Sequence, residues 1–196
     1  KPILSGVFIL PNIENYIYRI PNLLNGNECK QAVKEFKTIN FVEHKFYDPR
    51  KKLFHTRSGA QELAMSWDDI PFRKLIMDRI YTGIQSYIDY YDMPWFTSWQ
   101  GYSDVRFNEY KENKKMALHC DHIRSMFDGE KKGVPILSCL GALNNDYEGG
   151  EFVMFEDLKI ELKAGELMIF PSNFIYPHKV EPVTKGTRYT YISWVY

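Results

Sequence analysis

The chain has 196 residues, of which 44% are hydrophobic and 26% charged, as is typical of a folded globular domain and not of a disordered or fibrous chain. Basic and acidic residues balance at 25 each, so the formal net charge of zero gives no indication of an obligatory nucleic-acid or anionic-membrane partner. Three cysteines without a CxxC spacing, and no apolar run of about 18 residues, argue against a disulfide framework and a membrane span and favour a reducing, cytoplasmic location.

A strand and a helix are predicted in the first forty residues. The opening segment KPILSGVFIL is basic and then apolar, but Pro11 interrupts it, so we expect no signal peptide. The segment NYIYRI (residues 15–20) alternates in polarity as a strand does. A helix is predicted from Gly26 to Lys37, because Asn25 and Glu28 have the spacing of a capping box and apolar residues follow at helical intervals.

The next sixty residues predict a charged connection and a second helix. Residues 46–58, FYDPRKKLFHTRS, contain Pro49 and lack a steady period, which indicates a long exposed loop or a loose hairpin. From Ile70 to Tyr91 apolar residues recur at helical spacing, and we expect this helix to pack on a sheet. Asp68 or Asp69 is the predicted N-cap.

The character of the chain changes at Tyr102, where short strand-like segments alternate with turn-forming sequences. The eight segments are YSDVRFNEY, ALHCDH, PILSCLGAL, EFVMFE, LKIELK, ELMIFPS, HKVEPV and TRYTYISWVY. Short strands at this spacing predict a β-sandwich or jelly roll. We therefore predict one domain over residues 1–196, with a helical and strand support region in residues 1–100 and a β core in residues 101–196.

Two histidines flank an aspartate in the segment MALHCDHIRS. On a strand His119 and Asp121 point to one face and His122 to the other, so the first two can hold one ion and a third ligand must come from elsewhere. His178, 57 residues after Asp121, is the candidate. Two histidines and one carboxylate form the facial triad of non-haem Fe(II) oxygenases. Zinc accepts the same ligands, and H-x-D alone also occurs at solvated strand ends.

Arg188 follows His178 by ten residues. The sequence EPVTKG between them predicts a hairpin that returns Arg188 beside the strand of His178. A buried guanidinium needs an anionic partner, and its planar fork suits a carboxylate. An iron with open positions and a cation behind it match 2-oxoglutarate, whose keto-acid end chelates metal and whose other end is a carboxylate. A surface arginine on a strand is the alternative.

Four segments in order carry a family resemblance: YKENKKMALHCD, LNNDYEGGEF, AGELMIF and HKVEPVTKGTRYTYISW. With them, the region from about Tyr102 to Tyr196 resembles the 2-oxoglutarate- and Fe(II)-dependent dioxygenases, most closely their prolyl 4-hydroxylase-like branch. The resemblance implies a mainly β fold, a double-stranded β-helix (jelly roll) core flanked by N-terminal helices.

The resemblance also implies the roles of site residues. His119, Asp121 and His178 would hold Fe(II), with no catalytic residue beyond the iron centre. Arg188 and Tyr110 would bind the distal carboxylate of 2-oxoglutarate, and Ser138 would lie near this cosubstrate. O2 is the third reactant implied, and ascorbate is a further candidate cofactor. Trp194 is assigned to the core.

The implied activity is hydroxylation of an unactivated C–H bond, coupled to decarboxylation of 2-oxoglutarate to succinate and CO2. A peptidyl proline in a peptide or protein partner is the preferred target, with His55, Arg57 and Tyr102 as candidate substrate contacts. A free amino acid, a nucleobase or another small molecule is the alternative target. A noncatalytic jelly-roll binding module with a vestigial or zinc-filled site is the alternative of another class. Nothing in the sequence indicates an oligomeric state.

Overall fold

The computed structural model describes residues 12–48, 53–55, 61–92, 96, 99, 101–121 and 135–196. In chain order its elements are β1 Tyr18–Ile20, α1 Gly26–Phe36, β2 Val42–Glu43, β3 Phe46–Asp48, β4 Leu53–His55, β5 Ala64–Ser66, α2 Arg73–Tyr91, β6 Arg106–Tyr110, β7 Met116–His119, β8 Leu137–Ala142, β9 Tyr147–Gly149, β10 Phe152–Met154, β11 Leu158–Ile160, β12 Leu167–Pro171, β13 His178–Val180, β14 Val183–Gly186 and β15 Arg188–Val195. This order confirms the expectation of a mainly β fold with helices in its N-terminal half.

Two antiparallel sheets enclose the interior of the β region. The larger has seven strands in the order β1-β12-β8-β15-β6-β5-β2, and the smaller has four in the order β11-β10-β13-β7. The pairs β14–β9 and β3–β4 form two short ribbons. The N-terminal half thus contributes β1, β2 and β5 to the larger sheet, in addition to covering it with helices.

Strand alternation divides the buried residues of the larger sheet between two cores. The residues of β15 that face the helices are Tyr189, Tyr191 and Val195. Those that face the interior between the sheets are Arg188, Thr190, Ile192 and Trp194. All eight residues of β15 are buried, since both faces of this strand are covered.

The two helices pack on the outer face of the seven-stranded sheet. The ring of Phe36 on α1 lies 4.5 Å, centroid to centroid, from Phe107 on β6. α2 contributes fully buried isoleucines, including Ile80 and Ile84, to the same core. The predicted capping box of α1 is confirmed, because the Asn25 side chain accepts from the Glu28 backbone N–H and the Glu28 side chain accepts from that of Asn25.

In the N-terminal half, two local predictions differ from the structure, and for a third the structure shows one of two predicted alternatives. α2 begins at Arg73 without a side-chain cap, so the predicted aspartate N-cap is wrong. Asp68 instead accepts a hydrogen bond from the Asn40 backbone N–H at 3.0 Å, which fixes a neighbouring loop. The first strand is shorter than predicted, because residues 13–16 form a 3₁₀ turn. In the 46–58 segment the structure shows the hairpin β3–β4.

The turn-forming sequences at residues 144–150 and 181–186 contain two further strands. The segment NNDYEGG, predicted as a turn, contains β9, and EPVTKG, predicted as a hairpin turn, contains the whole of β14. These two strands pair with each other. Arg188 consequently begins a strand of the seven-stranded sheet and does not return beside β13.

The described helices include none that is long and apolar enough to cross a membrane. The three cysteines are free thiols, with Cys29 and Cys139 buried.

Gly141 on β8 faces the helix-side core opposite Tyr191, its Cα partner on β15. A Cβ at this position would overlap the fully buried ring of Tyr191. We expect Gly141→Ala to lower the free energy of unfolding by about 1–3 kcal/mol through overpacking, as measured by urea denaturation. Gly26→Ala is the matched control, since a Cβ there meets nothing within 4 Å and should leave stability unchanged or slightly raised. Equal stabilities of the two variants would contradict the packing described.

Candidate metal centre

His119, Asp121 and His178 converge because β7 and β13 are antiparallel neighbours. His119 ends β7 and is the Cα partner of His178, which begins β13. Asp121 follows His119 by two residues, and its Oδ1 lies 3.4 Å from Nε2 of His119 and 3.7 Å from Nε2 of His178. One ligand atom from each side chain lies within 4.8 Å of the others, so a single ion can contact all three.

Both histidine rings are oriented by the same local contact. Nδ1 of His119 lies 2.8 Å from the carbonyl oxygen of Ala117, and Nδ1 of His178 lies 3.1 Å from that of Tyr176. A neutral imidazole that donates its Nδ1–H to a carbonyl has its lone pair on Nε2. In both residues Nε2 is the atom that faces Asp121, so the two rings present ligand lone pairs to the same point.

The electrostatics of this site favour a bound cation. Asp121 and His178 are each 3% exposed. Burial lowers the pKa of His178 to about 4, which keeps its ring neutral near pH 7. Burial by itself would raise the pKa of Asp121, but the two imidazoles and the Ser138 hydroxyl hold it below its usual range. A carboxylate beside an uncharged ring leaves a buried negative charge, which a metal cation would neutralise.

A pair of buried serines fixes the carboxylate. Ser138 on β8 donates to Oδ2 of Asp121 at 2.6 Å, and its oxygen lies 2.7 Å from the hydroxyl oxygen of Ser172. Because Ser138 has one proton to donate, Ser172 must donate to Ser138. Oδ1 is left to face the two histidines. Our prediction that Ser138 lies near the cosubstrate stays a prediction, and the contact observed is with the aspartate.

The donor set fits Fe(II). Two imidazole nitrogens and one carboxylate oxygen on one side of an ion leave its other positions open. Zn²⁺ could take the same three ligands, so the triad alone does not select the metal. His122, which we predicted to point away from the triad, lies outside the described residues.

Arg188 is buried without an anion. Its side chain is 1% exposed, and neither Nε nor Nη1 has a hydrogen-bond partner. No acidic side chain of the described residues lies within ion-pair distance of it. Its Cζ lies 5.0 Å from the ring centroid of Tyr110, its Cα partner on β6. Burial raises the pKa of Tyr110, so its hydroxyl is protonated and can donate. The geometry therefore offers two donors to one carboxylate.

A cavity of about 620 Å³ reaches Arg188. Phe152 also lines it, and its ring stacks on that of His178 with centroids 5.2 Å apart and planes at 27°. The triad residues themselves are not part of the lining. The space beside Arg188 is thus separated from a metal ligand by one aromatic ring.

Of the three predicted substrate contacts, the structure describes the side chain of Tyr102 alone, and Tyr102 does not lie at this site. Tyr102 lies on the helix side of the larger sheet, where its hydroxyl donates to the Met77 carbonyl of α2 at 3.2 Å. This prediction failed because Tyr102 pairs with the end of β15 and its ring takes the helix-facing side. His55 ends β4, with its side chain outside the described residues, and Arg57 lies entirely outside them.

Ser172 and Arg106 belong to this interior but were not predicted from the sequence. Ser172 directly follows β12 and Arg106 begins β6, and the two residues are 1% and 9% exposed. In the sequence, each is a polar residue within or next to an otherwise apolar strand segment. A buried polar residue of this kind cannot be distinguished from a solvent-facing one until the opposing sheet is known.

Comparisons with known proteins agree with this geometry. Residues 105–196 match the family model described as the 2OG-Fe(II) oxygenase superfamily, where 2OG is 2-oxoglutarate. A PKHD-type hydroxylase of Xylella fastidiosa is 35% identical over 100 residues, which are 46% of this chain and 43% of that protein. One of Aliarcobacter butzleri is 36% identical over 96 residues, 45% and 41% of the two chains. The matches thus span less than half of these relatives.

Solved structures share the fold over nearly the whole chain. A viral collagen prolyl hydroxylase of Paramecium Bursaria Chlorella virus-1, in complex with 2OG, aligns with a TM-score of 0.64 at 17% identity, covering 92% of this chain and 94% of that one. A prolyl hydroxylase of Trichoplax adhaerens, in complex with a hypoxia inducible factor peptide fragment, aligns with a TM-score of 0.70 at 18% identity, covering 93% and 84%. The expected jelly-roll fold is confirmed by these structures, and the match of residues 105–196 agrees with the family resemblance.

Removal of the Ser138 hydroxyl should weaken metal binding. We expect Ser138→Ala to lower the affinity for Co²⁺ or Mn²⁺ by about 10- to 100-fold, because Asp121 loses the contact that orients it. Metal titration of the purified protein measures this. Ser193→Ala is the matched control, as it removes a buried hydroxyl from β15 that donates to the Ser103 carbonyl. An equal loss of affinity in both variants would contradict the role of Ser138.

Proposed function

We propose, from the match of residues 105–196 to the model of the 2OG-Fe(II) oxygenase superfamily and from the similarity to PKHD-type hydroxylases, that this protein is a 2-oxoglutarate-dependent hydroxylase of a peptidyl proline. The observation that carries the proposal is the presence, in one interior between two sheets, of a facial triad and a buried arginine without an anion. Burial of either charge without an opposite charge costs free energy. A bound metal would neutralise the triad, and the distal carboxylate of 2-oxoglutarate would neutralise the arginine.

Different residues would bind the metal and the cosubstrate. His119 and His178 would hold Fe(II) through Nε2 and Asp121 through Oδ1, with Ser138 fixing the other carboxylate oxygen. Arg188 and Tyr110 would bind the distal carboxylate of 2-oxoglutarate in a charge-assisted contact. The apolar side chains of the two facing sheets exclude water.

The bound iron and cosubstrate would supply the oxidation. With O2, 2-oxoglutarate is converted to succinate and CO2, one oxygen atom enters the succinate, and the other is inserted into an unactivated C–H bond of the substrate. The chain's residues orient and enclose the reactants, and no protein nucleophile or general base is required.

A peptidyl proline is the target that the prolyl hydroxylase-like branch supports. The Trichoplax adhaerens structure with the same fold is a prolyl hydroxylase holding a peptide fragment. The hairpin β3–β4 and the residues after it, with His55 and Arg57, are our proposed substrate-contacting segment. A free amino acid, a nucleobase or another small molecule is the alternative target. A noncatalytic module would leave the buried Arg188 without a function.

We also propose a reducing compartment such as the cytoplasm, since the three cysteines are free.

Two substitutions test the metal and cosubstrate assignments separately. His178→Ala should abolish formation of succinate from 2-oxoglutarate. Arg188→Met should keep metal affinity but raise the half-saturating 2-oxoglutarate concentration by about 30-fold or more, because the distal carboxylate loses a charge-assisted contact. Arg79→Met, an arginine of α2 paired with Glu28, is the matched control and should behave as the unmodified protein. Succinate formation that persists in His178→Ala would reject the proposed chemistry.

The target is tested with proline-containing peptide libraries. With Fe(II), 2-oxoglutarate and O2 present, we expect a gain of one oxygen atom on a proline, detected by mass spectrometry. Turnover of 2-oxoglutarate without oxidation of any proline peptide would contradict the peptidyl proline and favour the small-molecule alternative.

A further inference from the structure

A second arginine faces the interior that holds the triad. Arg106 begins β6 and is 9% exposed. Alternation along the strand places it on the same face as Asn108 and Tyr110. The opposite face of β6 carries Phe107, which packs in the helix-side core. Arg106 is therefore a buried cation on the functional side of the sheet.

The contacts of Arg106 hold the guanidinium but do not neutralise it. Its Nε donates to Oδ1 of Asn108 at 3.0 Å, and Asn108 in turn donates to the Thr190 hydroxyl at 3.2 Å. Its Cζ lies 5.1 Å from the ring centroid of Trp194. Within the described ranges no carboxylate forms an ion pair with it. Burial lowers the pKa of Arg106, which expresses the cost of keeping this charge without an anion.

Arg106 lies at the metal end of the interior. The Trp194 ring against which it packs belongs to the Cα partner of Ser138, the serine that binds Asp121. Asp121 raises the pKa of Arg106 against the larger effect of burial, in agreement with this placement. The two residues form no direct ion pair, because no nitrogen of Arg106 lies within 4.0 Å of that carboxylate.

Arg188 lies at the opposite end of this interior. It is the Cα partner of Tyr110, four residues along β6 from Arg106. At about 3.3 Å per residue, the two positions lie about 13 Å apart along the strand. A 2-oxoglutarate bound between the metal and Arg188 would extend away from Arg106. The metal would neutralise the keto-acid carboxylate of that 2-oxoglutarate, which leaves a second molecule entering at the metal end as the source of an anion for Arg106.

We propose that Arg106 binds a carboxylate of the primary substrate. This inference rests on the proposed function, and for a peptide it means an aspartate or glutamate next to the residue that is oxidised. The guanidinium presents a planar fork that matches a carboxylate in two parallel hydrogen bonds. The indole N–H of Trp194 is a second buried donor without an acceptor beside it. Together they form an anion-binding subsite distinct from that of Arg188.

Matched peptides test the charge preference directly. The protein is loaded with Mn(II), which binds without supporting turnover, and with saturating 2-oxoglutarate, which occupies Arg188. Peptides with proline next to Asp or Glu are then compared with isosteric peptides that carry Asn or Gln at the same position. We expect the unmodified protein to bind the best acidic peptide at least about 10-fold more tightly than its amide partner.

Substitutions assign the preference to Arg106. Arg106→Met should remove the difference between acidic and amide peptides, and Arg106→Lys should retain part of it, since the charge stays but the fork is lost. Arg79→Met on the outer face of α2 should retain all of it. Thermal unfolding checks that each variant is folded. If Arg106→Met does not fold, the partial loss of preference expected for Arg106→Lys still tests the proposal.

The outcomes separate this inference from the proposed function. Equal affinity for acidic and amide peptides, or no binding by any acidic peptide, overturns the anion subsite, even when prolines are hydroxylated in a parallel assay with Fe(II) and O2. A raised 2-oxoglutarate requirement in Arg106→Met with an unchanged peptide preference also overturns it, because the arginine then serves the cosubstrate. An acid preference that depends on Arg106 without proline oxidation supports the subsite and rejects proline as the target.

Discussion

The buried negative charge of Asp121 is the constraint on which the functional interior depends. Its described partners are two imidazoles and one hydroxyl, and His178 is neutral near pH 7 because it too is buried. Such a carboxylate is tolerable in a protein interior when a cation completes the cluster. The antiparallel pairing of β7 with β13 supplies the two histidines, and the seven-stranded sheet supplies the serine. The metal would thus join the two sheets through their shared interior.

Among the described residues, Arg188, Asp121 and Arg106 bring charged groups into this interior, and their order along it gives the proposed chemistry a direction. Arg188 is at one end, and Asp121 and Arg106 are at the other. A dicarboxylate cosubstrate would neutralise the first arginine and bind the metal, which would leave the second arginine for the molecule to be oxidised. The same strands also carry the core under the helices, because β6 and β15 expose alternate residues to each side. Packing of the helical layer therefore fixes the spacing of the charged groups.

The sequence predicted features whose cause is local or carried by a motif. The α1 capping box depends on Asn25 and Glu28 alone, and both contacts are present. The triad was predicted because H-x-D and a distant histidine stand within the landmarks of one family. Tertiary contacts decided the features that the sequence did not predict. Asp68 binds a neighbouring loop and does not cap α2, and Arg106 could be recognised as a buried cation after the opposing sheet was placed. β9 was missed because it ends in Gly149 and is followed by Gly150, both with positive φ of 74° and 67°, so residues typical of a turn lie in and directly after the strand.

The decisive experiment is a crystal structure of the protein with Mn(II) and 2-oxoglutarate, with the metal located by anomalous scattering. We expect one metal peak in contact with Nε2 of His119, Nε2 of His178 and Oδ1 of Asp121. We also expect 2-oxoglutarate density from that peak to the guanidinium of Arg188. A metal bound at other residues, or a cosubstrate whose far carboxylate does not reach Arg188, would contradict the proposed metal and cosubstrate sites.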